Sequence, residues 1–201
     1  MIIIGLVGGI GSGKSLLANV FENLYNAYII SDDEVGHQSM MPTGLAYQQV
    51  IDLLGTRIID EDGFIDRLVV SDIVFKDHNL LIALNRIIHR VVFDYLKETI
   101  DYLKEQDSYD FIMIEAALLI VDEFMPLIDR LWYVKVDVDI MVKRLIQSRH
   151  ISKEQIERIM EAQPEVAFYE TYADVILNNN DSLESCLNQI YNEVAYLTQN
   201  K

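Results

Sequence analysis

One cysteine and three prolines are spread over 201 residues. The single Cys186 excludes an internal disulfide and fits a reducing compartment, so a cytoplasmic protein is expected. No apolar stretch reaches the length of a membrane span: the run 111–121 is short and carries Glu115. The first residues lack the basic flank of a secretory signal, and glycines interrupt their apolar run. Positive charge is scarce as well. Sixteen Lys and Arg stand against thirty-two Asp and Glu, a formal charge of −16 that argues against a nucleic-acid partner. Most of these carboxylates read as a solvated, mutually repelling surface. The expected state is a monomer, with no membrane partner.

Half of the residues are nonetheless hydrophobic, enough for a sizeable core. Glycine is also scarce, but five of the nine fall within the first thirteen residues. They build Gly8-Gly9-Ile10-Gly11-Ser12-Gly13-Lys14-Ser15, a complete G-x-x-x-x-G-K-[ST] loop. An apolar, strand-like run, 1–7, precedes it, and a segment with helical spacing follows. Glycines let successive backbone N–H groups turn inward around a phosphate, and the helix start adds its positive end. Lys14 can set its ammonium against the β- and γ-phosphates, and Ser15 can offer its hydroxyl to Mg²⁺. A glycine-rich packing turn would need neither the lysine nor the serine.

No repeat, low-complexity tract or linker interrupts the chain. Apolar runs at 27–30, 111–114 and 131–136 predict further strands, with 174–177 a shorter candidate. Helical periodicity covers 15–24, 45–54, 66–75, 79–105, 139–147, 152–162 and 183–197. The alternation predicts an α/β fold of three layers with a mainly parallel sheet. One domain, 1–201, is expected, with an inserted helical substrate-binding region at 34–105 and a lid at 148–173.

Strand ends supply the remaining candidates, because ligands of open α/β sheets lie at the carboxyl ends of the strands. Ser31-Asp32-Asp33-Glu34 follows the second strand; a carboxylate there can take the proton of an acceptor hydroxyl, or the group can simply cap a helix. Glu115 closes the third strand's apolar run, either as the acid on the Mg²⁺ side of the site or as a solvated strand end. Arg144 and Arg149 follow the fourth strand, where cations can neutralise a transferring phosphoryl group or sit on a helix surface. His89, among Leu84, Ile87, Ile88 and Val92, reads on its own as a packed or capping histidine.

Taken in order, the motifs resemble dephospho-coenzyme A kinase. The match runs through residues 5–15, Asp33, Asp62-Gly63-Phe64-Ile65-Asp66-Arg67, Leu84-Asn85 with His89, and Leu118-Leu119. It continues through Arg144, Ser152 with Glu154, Gln163, and Ala173-Asp174-Val175-Ile176 with Asn178, covering nearly the whole chain to about residue 197. The resemblance implies ATP- and Mg²⁺-dependent phosphorylation of the ribose 3′-hydroxyl of dephospho-CoA. It places Gly9, Gly11, Ser12, Gly13, Lys14, Ser15 and Leu16 around the nucleotide and Asn178 by its adenine. Asp33 becomes the acid near the acceptor hydroxyl, Arg67, His89 and Leu118 belong to the substrate, Ser15 and Glu115 to the metal, and Arg144 to the phosphates.

The chain departs from the family pattern at several points. Ser31 replaces the first aspartate of an Asp-x-Asp pair, and Arg90 follows His89 where a proline is usual. Val121 stands in place of a glutamate, and Ser148 in place of a lid arginine, with Arg149 adjacent. The stretch 166–172 holds no cation. A lid with fewer cations follows, and two alternatives with it: another small-molecule or nucleoside monophosphate kinase, or a nucleotide-binding protein with weakened catalysis.

Overall fold

Five apolar segments, each too short for a stable helix, pair into one sheet in the computed structural model. It describes residues 1–117, 124–149, 152–161, 163 and 165–199, the side chains of 148, 149 and 161 excepted. The strands are β1 (Ile2–Val7), β2 (Ala27–Ser31), β3 (Phe111–Ala116), β4 (Arg130–Lys135) and β5 (Val175–Asn178), in the order β2-β3-β1-β4-β5. β1 is parallel to both β3 and β4, and β4 is parallel to β5. Such pairing needs crossover connections, which the intervening helices supply.

The chain divides into two compact units, one of residues 1–30 and 107–201, the other Ser31–Gln106. In the first unit the sheet is buried on both faces. Ile4, Leu6, Phe111, Met113, Trp132 and Val134 point to one side, against Leu17 and Phe21 of α1 (Lys14–Leu24). Cys186, Ile190 and Val194 of the C-terminal helix Leu183–Gln199 complete that core. The alternate residues Ile3, Ile112, Ile114, Leu131 and Tyr133 are buried on the other side. Period-two alternation with both sets apolar is the pattern of a parallel sheet covered on both faces.

The second unit is helical: α2 (Asp32–Ser39), α3 (Tyr47–Leu54), α4 (Arg67–Val74) and α5 (His78–Gln106). Its own core joins Val50, Ile51 and Leu54 to Ile58, Ile65, Val70, Val74, Leu84 and Val91. Local capping sets its boundaries. The Ser31 hydroxyl accepts the N–H of Glu34 at 3.4 Å, and Asp66 accepts those of Leu68 and Val69 at 2.9 and 3.2 Å. Thus Asp66, within the Asp-Gly motif, is the cap that starts α4, and Arg67 is its first helical residue.

After β4 the first unit continues with α6 (Val138–Arg149), α7 (Lys153–Glu161) and α8 (Val166–Tyr172), and α9 is the C-terminal helix Leu183–Gln199. α2 and α8 are helices that periodicity alone did not delimit. α8 is held on β4 by the stack of Tyr169 on Tyr133, with ring centroids 5.0 Å apart, and by Lys135, whose Nζ donates to Glu170 at 2.7 Å. Burial pushes the Tyr169 hydroxyl up to about 12, and it donates to the Ala117 carbonyl at 2.9 Å.

Candidate active site

The loop between β1 and α1 owes its shape to what packs against it. Gly13 precedes α1 with φ +97°, and a Cβ added there would lie 2.5 Å from the side-chain nitrogen of Asn179. Glycine is required on both counts. Asn179 is buried; its Nδ2 donates to the Ser12 carbonyl at 2.7 Å, and its own N–H donates to the Lys135 carbonyl at 2.9 Å. The turn after β5 is thereby tied to the loop after β1.

Lys14 is buried at 8% exposure although it carries a charge. Its Nζ donates to the Gly8 carbonyl at 2.8 Å and to the Gly9 carbonyl at 3.1 Å, folding the ammonium back over the loop. No acidic residue occupies the first turn of α1, so the positive helix end is not neutralised from within. Ser12 is buried, and its Oγ has no hydrogen-bond partner among the described residues. Leu16 is about half exposed, with relative exposure of 52%.

The Ser15 hydroxyl donates to Glu115 Oε1 at 2.6 Å, across 100 residues of sequence. Register explains the meeting: Glu115 lies opposite Leu6 on β1, so its carboxylate reaches the end of the sheet from which the loop departs. A hydroxyl and a carboxylate side by side are hard oxygen donors. They suit Mg²⁺, which keeps several waters and substrate phosphate oxygens around one or two protein ligands. No larger cluster of metal-ligating side chains occurs among the described residues.

Arg144 lies on α6, half-buried. Burial raises the Cys186 thiol above its ordinary value while the Arg144 charge opposes that rise, so the guanidinium acts near the start of α9. Asn178 is exposed, and its side-chain oxygen accepts the N–H of Asn180 at 2.9 Å. Its backbone is held from both sides by Gln189, which accepts the Asn178 N–H and donates to the Asn178 carbonyl, each at 2.9 Å.

Asp33, Arg67 and His89 belong to the helical unit. Ser31 performs the capping, which leaves Asp33 exposed in the first turn of α2. Beside it, Asp32 has a buried Oδ1 with no partner among the described residues. Burial, and secondarily the Asp33 charge, push the Asp32 carboxyl up to about 7. Arg67 Nη1 lies 3.1 Å from His37 Nδ1. Arginine only donates, so this ring nitrogen accepts. His89 is half-buried on α5. Leu118, and the Val121 departure, lie outside the described residues, as do the side chains of Ser148 and Arg149.

Four participants were not singled out as site residues from sequence: Asn179, Asp32, His37 and Lys135. Asp32 lay within the acidic group after the second strand, and Asn179 within an asparagine triplet at the ligand end of the sheet; His37 and Lys135 carried no signal.

A parallel sheet, a phosphate loop leading into a helix, and a hydroxyl–carboxylate pair at that loop define a P-loop phosphotransferase. Comparison with known proteins narrows the class. The family model for dephospho-CoA kinase matches residues 2–185. The dephospho-CoA kinase of Carboxydothermus hydrogenoformans is 37% identical over 190 residues, 94% of this chain and 90% of the relative. Among solved structures, TT1252 from Thermus thermophilus superposes with a TM-score of 0.82 at 23% identity, covering 98% of this chain and 97% of that one. The dephospho-CoA kinase from Campylobacter jejuni gives 0.69 at 17% identity, covering 98% of each chain. The chain belongs to the dephospho-CoA kinase family.

Proposed function

We propose that the chain transfers the γ-phosphoryl group of ATP to the ribose 3′-hydroxyl of dephospho-CoA, with the loop of residues 8–15 as the phosphate cradle. The observation that carries this reading is the Ser15–Glu115 pair, 2.6 Å apart, at a loop that already holds a buried lysine. The loop amides and Lys14 hold the β- and γ-phosphates; Gly9, Gly11, Ser12, Gly13 and Leu16 border the nucleotide, and Asn178 lies at its adenine. Ser15 and Glu115 hold Mg²⁺, which when bound neutralises charge on the phosphate oxygens.

Asp33 orients the 3′-hydroxyl and takes its proton. The O3′–Pγ bond forms as the bond from Pγ to the β,γ-bridging oxygen breaks, and ADP leaves. Arg144 stabilises charge on the transferring group; a preorganised donor of this kind contributes about 2–4 kcal/mol to the barrier. Arg67 and His89 bind dephospho-CoA, as does Leu118. The residues 34–105 form the substrate-binding region and 148–173 the lid of a single-domain monomer working in the cytoplasm.

The test is a coupled assay for ADP release with dephospho-CoA, nucleosides, nucleoside monophosphates and shikimate as acceptors, on wild type and Lys14→Ala. ADP formation with dephospho-CoA alone, lost in the variant, supports the assignment. Faster turnover of a nucleotide or of shikimate would replace it, and tight ATP binding with no phosphorylated acceptor would make the chain a binding protein.

A further inference from the structure

A carboxamide from outside the loop motif stands over the loop. Gln163 Oε1 accepts the N–H of Ile10 at 3.1 Å, across 153 residues of sequence. A backbone N–H only donates, so the atom facing Ile10 is the oxygen, and the amide nitrogen is the other end of the group. The same oxygen would stand 3.2 Å from a Cβ on Gly9, so the absence of a side chain there leaves just enough room for it.

The segment bearing Gln163 is fixed to the residue it bonds. Ile156 of α7 is fully buried with Met141 and Leu145 of α6, and Ile10 and Met160 pack against this cluster. The Gln163 N–H donates to the Met160 carbonyl at 3.1 Å. Among the described residues the Gln163 Nε2 has no acceptor, although a carboxamide nitrogen carries two donors.

We propose that Gln163 is a phosphate-contacting residue: Oε1 is anchored on the Ile10 N–H, and Nε2 donates to a phosphate oxygen of the nucleoside triphosphate in the loop. The proposal rests on the reading of residues 8–15 as the ATP cradle. It assigns a neutral donor to a chain that has no cation at 166–172. The donor comes from a different element than the loop amides, so the nucleotide is gripped from two parts of the first unit.

The isosteric Gln163→Glu separates contact from mere anchoring. It keeps an oxygen for the Ile10 N–H but turns the donor end into a second carboxylate oxygen facing phosphate. Its KM for ATP is expected to rise about tenfold or more, the scale of a lost charge-assisted hydrogen bond, with the KM for dephospho-CoA within about twofold and an unchanged Tm. Gln163→Leu, which loses both ends, should raise the ATP KM as well. If Gln163→Glu keeps the wild-type KM for ATP while Gln163→Leu loses it, the side chain only anchors the segment and the proposal fails. Lys14→Ala, measured in parallel, separates the two levels: normal ATP binding by it overturns the cradle itself, whereas its loss beside a wild-type Gln163→Glu overturns Gln163 alone.

Discussion

Replacing Gly13 by alanine tests whether the loop is locked by Asn179. Two costs arise. At φ +97° an L-residue sits outside its favoured regions, worth about 1–2 kcal/mol. The new Cβ would lie 2.5 Å from Asn179 Nδ2, so the buried amide must withdraw from the Ser12 carbonyl that it now reaches at 2.7 Å. Leaving a buried donor and acceptor apart costs about 1–3 kcal/mol. Together these give roughly 2–5 kcal/mol, a fall in Tm of about 4–20 °C for a chain of this size. Thermal unfolding of Gly13→Ala, Asn179→Ala and the double variant reads the coupling. Truncating Asn179 removes the obstacle to the Cβ, so the double variant should be about 1–2 kcal/mol less destabilised than the sum of the singles. Strict additivity, or a Gly13→Ala protein with the Tm of wild type, would refute the argument.

Glu115→Gln keeps the shape of the Ser15 partner but removes its charge; the Mg²⁺ concentration for half-maximal activity should rise about 10- to 100-fold, and an unchanged Mg²⁺ titration would remove Glu115 from the metal site. Asp33→Asn should lower kcat by about 10²–10⁴ while calorimetry finds ATP affinity within about twofold; a wild-type kcat ends its role as proton acceptor. The folded Asp32 carboxyl keeps its proton to about pH 7, whereas its ordinary value is 3.8. The folded state therefore binds more protons between these values, and the stability that Asp32 contributes is full below pH 3.8 and lost as pH rises through about 7. Asp32→Asn should flatten the decline of Tm over that range, and a variant whose Tm–pH curve parallels wild type contradicts it.

The sheet was legible because each strand is a short apolar run, and the central β1, β3 and β4 are buried on both faces, a signal that needs no knowledge of partners. The long α5 was legible for a similar reason: its apolar stripe persists from Leu84 to Leu103. α2 was harder to read. Its helical stretch is short and polar, Asp-Asp-Glu-Val-Gly-His-Gln-Ser, and only the cap at Ser31 announces it. α8 depends on Tyr169 stacking on a residue of β4 and on a Lys135–Glu170 pair, contacts that exist only once the sheet is formed. The phosphate loop was evident because its chemistry is contiguous. Glu115 stood out as a strand-end carboxylate and Gln163 as part of the family pattern, but the loop atom each one meets did not, since Glu115, Gln163 and Asn179 lie 100 or more residues from their partners Ser15, Ile10 and Ser12. Spacing along a chain carries no information about which distant side chain meets which loop amide; strand order and register decide that.

Strand order also has a consequence for how the protein is made. β1 lies between β3 and β4, so its nearest partner in synthesis, Phe111–Ala116, leaves the ribosome about 5–20 s after Val7 at ordinary elongation rates. During that interval Ile2, Ile3, Ile4, Leu6 and Val7 lack the strands that they pair with in the folded sheet. The helical unit, whose segments are close in sequence, can fold meanwhile. The glycine loop therefore waits for its brace: Asn179, whose amide holds the Ser12 carbonyl, is translated 167 residues after it.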